Sequence, residues 1–346
     1  MKTQLAICTA FILFVFISCN NQQQATTQAP VPTSEEVNKK SYLEIVKAFE
    51  TGVTDSLGKY VKENSINHGT PLPGITTTGL QGLKDRIAMY RASFPDMKMT
   101  FHHVVADGDM LMAHATWSGT NSGPFMGGPS TGKTVASEFV YILRFENGKT
   151  AEHWEVEDNL GFMIQMGLIP PQGDAPAPAN HPTYDWNATV ANDSAKEVQM
   201  KASYTAMMAM IQAGDLSTLD QYLDADFKEH MKVPGVAVAD GIEGAKQIMA
   251  MWKQAYPDLK VTINKVAAEG DMLIAYFTSE GTFAGGIPGL PAEAIGKKVK
   301  ADGIDIIRFN AEGKAAEHWD LTDHYTEMIQ LGLLPDPAAS AQRTAN

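Results

Sequence analysis

The chain has almost no cysteine: two in 346 residues, Cys8 and Cys19. Cys8 lies inside an N-terminal apolar run and Cys19 closes it, so the part that folds afterwards holds no thiol. Disulfides, thiolate nucleophiles and cysteine-ligated metals are thereby excluded from the fold, and each domain must be held by its own apolar core. Basic residues are also scarce, 27 Lys and Arg against 40 Asp and Glu, for a net charge of −13. Loss of residues 1–19 removes only Lys2 among them, which leaves 26 against 40, or −14. That balance disfavours nucleic acid and anionic lipid surfaces as partners. Phosphate-loop glycines are lacking too, because Gly127-Gly128 and Gly285-Gly286 have no strand–helix context.

The first residues read as a targeting segment and stay outside the fold. Lys2 gives a positive start, and the apolar run Leu5–Ile17 is too short to span a bilayer comfortably. Phe16-Ile17-Ser18-Cys19 resembles the lipobox of bacterial lipoproteins, with Ser18 where Gly or Ala is usual. The resemblance implies that residues 1–19 are removed and that Cys19 is lipidated. An ordinary cleaved signal peptide is the alternative. A polar tether, residues 20–33, follows. The expectation is an exported protein anchored to the cell envelope, with membrane contact through the lipid alone.

What is abundant is repetition. Arg144-Phe145 to Gly167-Leu168 is written again from Arg308-Phe309 to Gly332-Leu333, with Gly-Lys, Ala-Glu-His-Trp, a following Asp and Met-Ile-Gln in both copies. Phe94-Pro95-Asp96 matches Tyr256-Pro257-Asp258, Gly108-Asp109-Met110-Leu111 matches Gly270-Asp271-Met272-Leu273, and His68 matches His230. Two domains are expected, residues 34–170 and 193–337, joined by a Pro/Ala/Asn-rich linker at 171–192. Each copy opens with an amphipathic helix, marked in the first by Tyr42, Ile45, Val46 and Phe49. A second helix precedes Pro95 or Pro257, and four strands with turns at Gly108 or Gly270 and Gly148 or Gly313 follow. A short helix closed by Gly167 or Gly332 ends each copy. Helices first and an antiparallel sheet after them predict an α+β fold.

These residues resemble the SnoaL-like polyketide cyclase (ester cyclase) family of the nuclear transport factor 2-like fold. The features that carry the resemblance are His68, Phe94-Pro95-Asp96, Gly108-Asp109, Gly119-Thr120, Pro129 to Lys133, Arg144-Phe145, Gly148-Lys149, Glu152-His153-Trp154, Asp158 and Gln165-Met166-Gly167-Leu168. The resemblance implies two tandem cone-shaped domains, each a curved antiparallel sheet roofed by helices over an apolar pocket. It also implies acid–base aldol chemistry without metal or cofactor. The second copy departs at Ala292–Lys297, after a longer loop, Gly285–Pro291, so its pocket mouth is expected to differ.

On the last strand of each copy, Glu152, Trp154, Val156 and Asp158, or Glu317, Trp319, Leu321 and Asp323, share one face. The apolar members predict that this face looks into the pocket, with Trp154 and Trp319 as ligand-stacking wall. Asp158 and Asp323, implied as catalytic by the resemblance, would sit at its edge. Each Asp also precedes a short helix, where an N-cap belongs, so base and cap remain open. His68 and His230 are candidate assisting groups. His153 and His318, on the opposite face, are expected to have a structural or interface role rather than a catalytic one. Arg144 and Arg308 are expected partners of Glu152 and Glu317. Adjacent strand residues point to opposite faces, so His102-His103 is no metal signal, and no metal or cofactor is expected. The functional expectation is a small apolar carbonyl compound bound in one or both cones and turned over by aldol, isomerase or hydrolase chemistry. A non-catalytic small-molecule-binding module of the envelope is the alternative. Domains of this fold pair through the outer sheet face, so an intra-chain pseudo-dimer is expected.

Overall fold

Thr33 starts the fold as a helix cap: its Oγ1 accepts from Glu36 N at 3.2 Å and its own N donates to Glu36 Oε2 at 3.0 Å. The computed structural model describes residues 32–69, 72, 74–170, 181–186, 194–231, 239 and 241–335. The expected signal segment with Cys19, most of the tether, the linker apart from 181–186, and the chain end beyond 335 lie outside the described residues. From Thr33 the first copy runs α1 (Ser34–Thr51), β1 (Val61–Asn67), α2 (Gly79–Ser93), β2 (Lys98–Asp107), β3 (Met110–Thr120), β4 (Thr134–Glu146), β5 (Lys149–Glu157) and α3 (Asn159–Met166). The second repeats it as α4 (Ser194–Ala213), β6 (Leu223–Glu229), α5 (Gly241–Ala255), β7 (Lys260–Glu269), β8 (Met272–Thr282), β9 (Lys298–Phe309), β10 (Ala315–Thr322) and α6 (His324–Gln330).

Each copy is an α+β cone on one five-stranded sheet, ordered β1-β5-β4-β3-β2 and β6-β10-β9-β8-β7. The expected antiparallel strands are joined by a parallel one: β1 pairs parallel to β5, and β6 to β10. The helices cover the inner face. In the first cone, Tyr42, Ile45 and Phe49 of α1 meet Leu111 and Ala113 of β3 and Phe139 and Leu143 of β4. The period of 3.6 on the helix and of 2 on the strands brings these residues to one core.

The outer faces carry a second apolar set. Met112, Val140, Ile142 and Val156 of the first cone form one cluster with Ile274, Ile304, Ile306, Trp319 and Leu321 of the second. The rim of this seam is reciprocal. Ala106 N donates to Glu269 Oε2 at 2.8 Å, and Ala268 N donates to Asp107 Oδ2 at 3.0 Å. Lys39 pairs with Glu269 at 2.6 Å, and Lys201 pairs with Asp107. Lys265 Nζ sits 3.7 Å over the Trp154 ring, while His103 packs 4.7 Å from the Trp319 ring. Matching positions thus contact each other across a pseudo-two-fold, as in an isologous dimer.

Ile306 is fully buried at this seam. Ile306→Ala should lower stability by about 2–5 kcal/mol, read as a fall in the urea midpoint at constant m-value. A loss below about 1 kcal/mol would show that the seam contributes little.

Candidate active site in the second cone

Strand alternation decides which side chains reach the cavity, and the structure reverses the expected face. On β10, Trp319 and Leu321 point outward into the seam, whereas His318, Asp320 and Thr322 line a cavity under α4 and α5. Trp154 and Val156 of β5 also lie at the seam. Trp154 and Trp319 are therefore seam residues, not ligand-stacking wall. The reason is physical: both faces of each sheet are buried, so an apolar side chain does not identify the inner face.

His68 and His230 follow the tryptophans outward. The His68 ring stacks on Trp154 at 4.5 Å and its Nε2 lies 2.8 Å from Glu152, which Arg144 bonds at 2.7 Å. His230 stacks on Trp319 at 4.5 Å and lies 2.9 Å from Glu317, which pairs with Arg308. The expected Arg–Glu pairs are present, each completed by a histidine. Asp158 and Asp323 take the cap position. Asp158 Oδ1 accepts from Gly161 N at 2.8 Å; Asp323 accepts from Thr326 N at 3.1 Å and from its hydroxyl at 2.6 Å. Burial raises the pKa of Asp158, opposed by the Gly161 hydrogen bond. Neither Asp lines the second cone's cavity, so the structure brings none of the four expected catalytic residues to it.

The cavity has a volume of about 190 Å³ and apolar walls that include Met207, Ile211, Phe227, Met249, Trp252 and Phe277. Its polar line is built from three strands. His318 Nδ1 contacts both Glu229 oxygens at 2.9 Å, its Nε2 contacts Asp305 Oδ1 at 3.0 Å, and Tyr204 donates to Asp305 Oδ2 at 2.7 Å. A ring with a carboxylate on each nitrogen donates from both, so His318 is an imidazolium. Burial alone would discharge it, but Glu229 and Asp305 hold its pKa well above the ordinary value. Asp320 pairs with Asp305 in the β9–β10 register and lines the same cavity. Burial pushes its carboxyl up to about 6, against the pull of His318 and His324. This pKa suits a general base near neutrality.

The first cone replaces each part. Arg86 on α2 stands where Ile248 stands on α5, and it pairs with Glu155, the counterpart of Asp320, at 2.9 Å. Tyr141 replaces Asp305 opposite that carboxylate, and Asn67, 2.8 Å from His153, replaces Glu229. Without a carboxylate at those two places, burial lowers the His153 pKa to about 4. Trp117 fills the position of Ser279 and packs on Phe94, Phe162 and Tyr90. The departing loop of the second copy builds its own apolar wall, with Ile287, Leu290 and Ala294 packed near Tyr256 and Trp252.

Glu229, Asp305 and Asp320 were not among the expected site residues, and His318 was expected to have a structural or interface role. A signal was present for one of them: Asp305 interrupts the apolar run Ile304 to Ile307 of a central strand.

Two α+β cones in tandem, each a five-stranded sheet covered by helices, define the class. The SnoaL-like polyketide cyclase profile matches residues 40–166 and again 201–331. The chain belongs to the SnoaL-like polyketide cyclase family, with two family domains in tandem. Nogalonic acid methyl ester cyclase of Streptomyces nogalater is 27% identical over 124 residues, 36% of this chain and 92% of that protein. Aklanonic acid methyl ester cyclase DauD of Streptomyces sp. (strain C5) is 23% identical over 137 residues, 39% of this chain and 85% of that protein. Among solved structures, TsrD from Streptomyces laurentii is 31% identical, covers 42% of this chain and 100% of its own, and has a TM-score of 0.35. A SnoaL-like polyketide cyclase from Agrobacterium tumefaciens str. C58 is 26% identical and covers 38% and 98%, with a TM-score of 0.33.

The raised Asp320 carboxyl has a stability consequence. Its folded pKa lies above its unfolded value, so the folded state binds the extra proton between about pH 4 and 6, and stability falls as pH rises through that window. Asp320→Asn should remove this penalty: the variant is expected to be more stable than wild type by on the order of 2 kcal/mol at pH 7, with the gain vanishing below about pH 4. Urea melts of both proteins across pH check this. A variant less stable than wild type at pH 7 would contradict it.

Proposed function

We propose that the second cone is a metal-independent, acid–base cyclase acting on a small carbonyl compound of the polyketide type, and that the first cone is its structural partner. The observation that carries this reading is Asp320, an unusually basic carboxylate in an apolar cavity beside an imidazolium held by Glu229 and Asp305. Asp320 takes a proton from the carbon next to a carbonyl. The resulting enolate attacks a second carbonyl of the same molecule, and the alkoxide formed recovers that proton from Asp320. Atoms balance, and the product is an isomer of the substrate. His318 supplies the positive charge nearest the enolate. The related ester cyclases, named for nogalonic and aklanonic acid methyl esters, supply the first substrates to try.

Incubation with either methyl ester, followed by chromatography and mass spectrometry, should show a product of unchanged mass and new retention. Asp320→Asn should reduce turnover by roughly 10²–10⁴-fold. Asp323→Ala should cost about 1 kcal/mol of stability as a lost cap and keep turnover. Turnover that survives Asp320→Asn but not Asp323→Ala would return the base role to the cap residue. Ligand retained unchanged by wild type would favour the binding-module reading.

The proposal extends to export and anchoring, supported by Lys2, Leu5–Ile17 and Cys19 in lipobox order. In a bacterial host, Cys19→Ala should shift the protein from the membrane fraction to the soluble one. Unchanged membrane association of that variant would remove the anchor.

A further inference from the structure

We propose that the first cone carries a divalent-metal site of the zinc type on its outer face, formed by His114, Glu138 and His181. It is independent of the cavity in the second cone. His114 comes from β3 and Glu138 from β4; His114 pairs with Val140 and Glu138 with Thr116, so the two stand two register positions apart on the same face. His181 comes from the segment between the cones. His181 Nε2 lies 3.1 Å from Glu138 Oε1, and His114 Nε2 lies 3.5 Å from Glu138 Oε2. All three ligand atoms lie within 4.8 Å of one another. Ligands at roughly 2.0–2.2 Å around a tetrahedral ion stand about 3.3–3.6 Å apart. The Glu138 carboxylate spans the two imidazoles through different oxygens, 3.1 Å to His181 and 3.5 Å to His114, so closing on one ion takes a small rotation of the carboxylate and a shift of His181, which lies outside the strands.

The duplication supplies an internal control. The second cone has Tyr276 in place of His114 and Asp302 in place of Glu138. There Tyr276 donates to Asp302 Oδ2 at 2.7 Å and Thr278 donates to Oδ1 at 2.7 Å, a closed neutral-donor network. The first cone keeps a carboxylate at one position, has an imidazole in place of the phenol at the other, and adds a second imidazole, His181, from outside the sheet. That set leaves buried nitrogens without hydrogen-bond partners, His181 Nδ1 and His103 Nε2. His114 Nδ1 lies 3.1 Å from His103 Nδ1. With His114 donating through Nδ1 in this bond, its Nε2 is left free for a metal. His102 is set by Thr116 at 2.8 Å and by the Pro182 carbonyl at 3.1 Å, and its ring packs 4.6 Å from that of His181.

Two imidazoles and one carboxylate make a borderline donor set, suited to Zn²⁺ and to Co²⁺ as its probe, with a fourth position for water. The ion would fasten segment 181–186 to the sheet. That segment already bonds there through Tyr184 N to Phe101 O at 2.7 Å, and its Tyr184 and Trp186 pack on the first core.

The full chain, stripped with a chelator, is titrated with Zn²⁺ by calorimetry and loaded with Co²⁺ for visible absorption. The expected result is one ion per chain with a Kd of about 1 µM or tighter, a low-coordinate Co²⁺ spectrum, and a higher Tm with Zn²⁺. His181→Ala and Glu138→Gln should each weaken binding roughly 10-fold or more and erase the Tm rise. His181 lies outside the strands, so its variant keeps both sheets, as circular dichroism will verify. His318→Ala should leave the stoichiometric ion in place. Failure to bind Zn²⁺ near 10 µM, or equal binding by wild type and His181→Ala, overturns the proposal.

Discussion

Two five-stranded sheets lying outer face to outer face leave neither sheet a solvent side, and the rest of the molecule follows from that. A sheet covered by helices on one face and by another sheet on the other must be apolar on both. Met112, Ile142, Ile274 and Ile306 meet this demand at the seam, while Leu111, Ala113, Leu273 and Ala275, one residue along the same strands, meet it inside the cones. Polar side chains placed on either face must then be matched. Glu152 and Glu317 are matched by arginine and histidine, and Asp107 and Glu269 by backbone N–H groups of the opposite cone. These contacts give the seam its register, because a slip of one residue would bury carboxylates without donors.

With the scaffold fixed twice over, the copies have diverged where the scaffold permits. Arg86 against Ile248 is the plainest case. A buried arginine on α2 ties up Glu155, and removing either partner would strand the other charge in the core. The aliphatic residue on α5 leaves Asp320 without the guanidinium partner that Glu155 has, and the cavity wall apolar. Trp117 against Ser279 and Phe162 against Glu327 act in the same sense: the first cone is packed with aromatic rings where the second has room. One cone gains core, the other a cavity lined by ionisable groups.

Much of this was legible from residues alone. The repeat, the caps and the hairpin turns placed most elements within a residue or two, because Gly, Pro and alternating patterns act locally. The helix starts at Gly79 and Gly241 were less so, since the first turns carry only Leu80 and Leu83, or Ile242, as large apolar residues. The parallel pairing of β1 with β5 is non-local and carries no motif. The inner face was misread for a definite reason. Trp319-Leu321 against His318-Asp320 looks like pocket against solvent, and only the presence of the second cone turns it into seam against pocket. The histidine cluster was invisible for another. A register shift between Phe101 and His103 breaks the strand alternation, and His181 arrives from a segment without secondary structure.

The charge arrangement in the second cone bears on the proposed base, because its cavity would resist a new anion. Glu229, Asp305 and Asp320 surround one imidazolium, so a fully ionised site is already net negative. Forming an enolate there by an external base would add charge to a low-dielectric space at high cost. When Asp320 is the base, the carboxylate loses its charge as the enolate gains one, and the net charge of the cavity does not change. The charge only moves within reach of His318, whose two N–H groups are held in place by Glu229 and Asp305 before substrate arrives. Such preorganisation costs nothing at the moment of reaction. In the first cone the equivalent carboxylate, Glu155, is bonded to Arg86, and loss of its charge would strand the guanidinium.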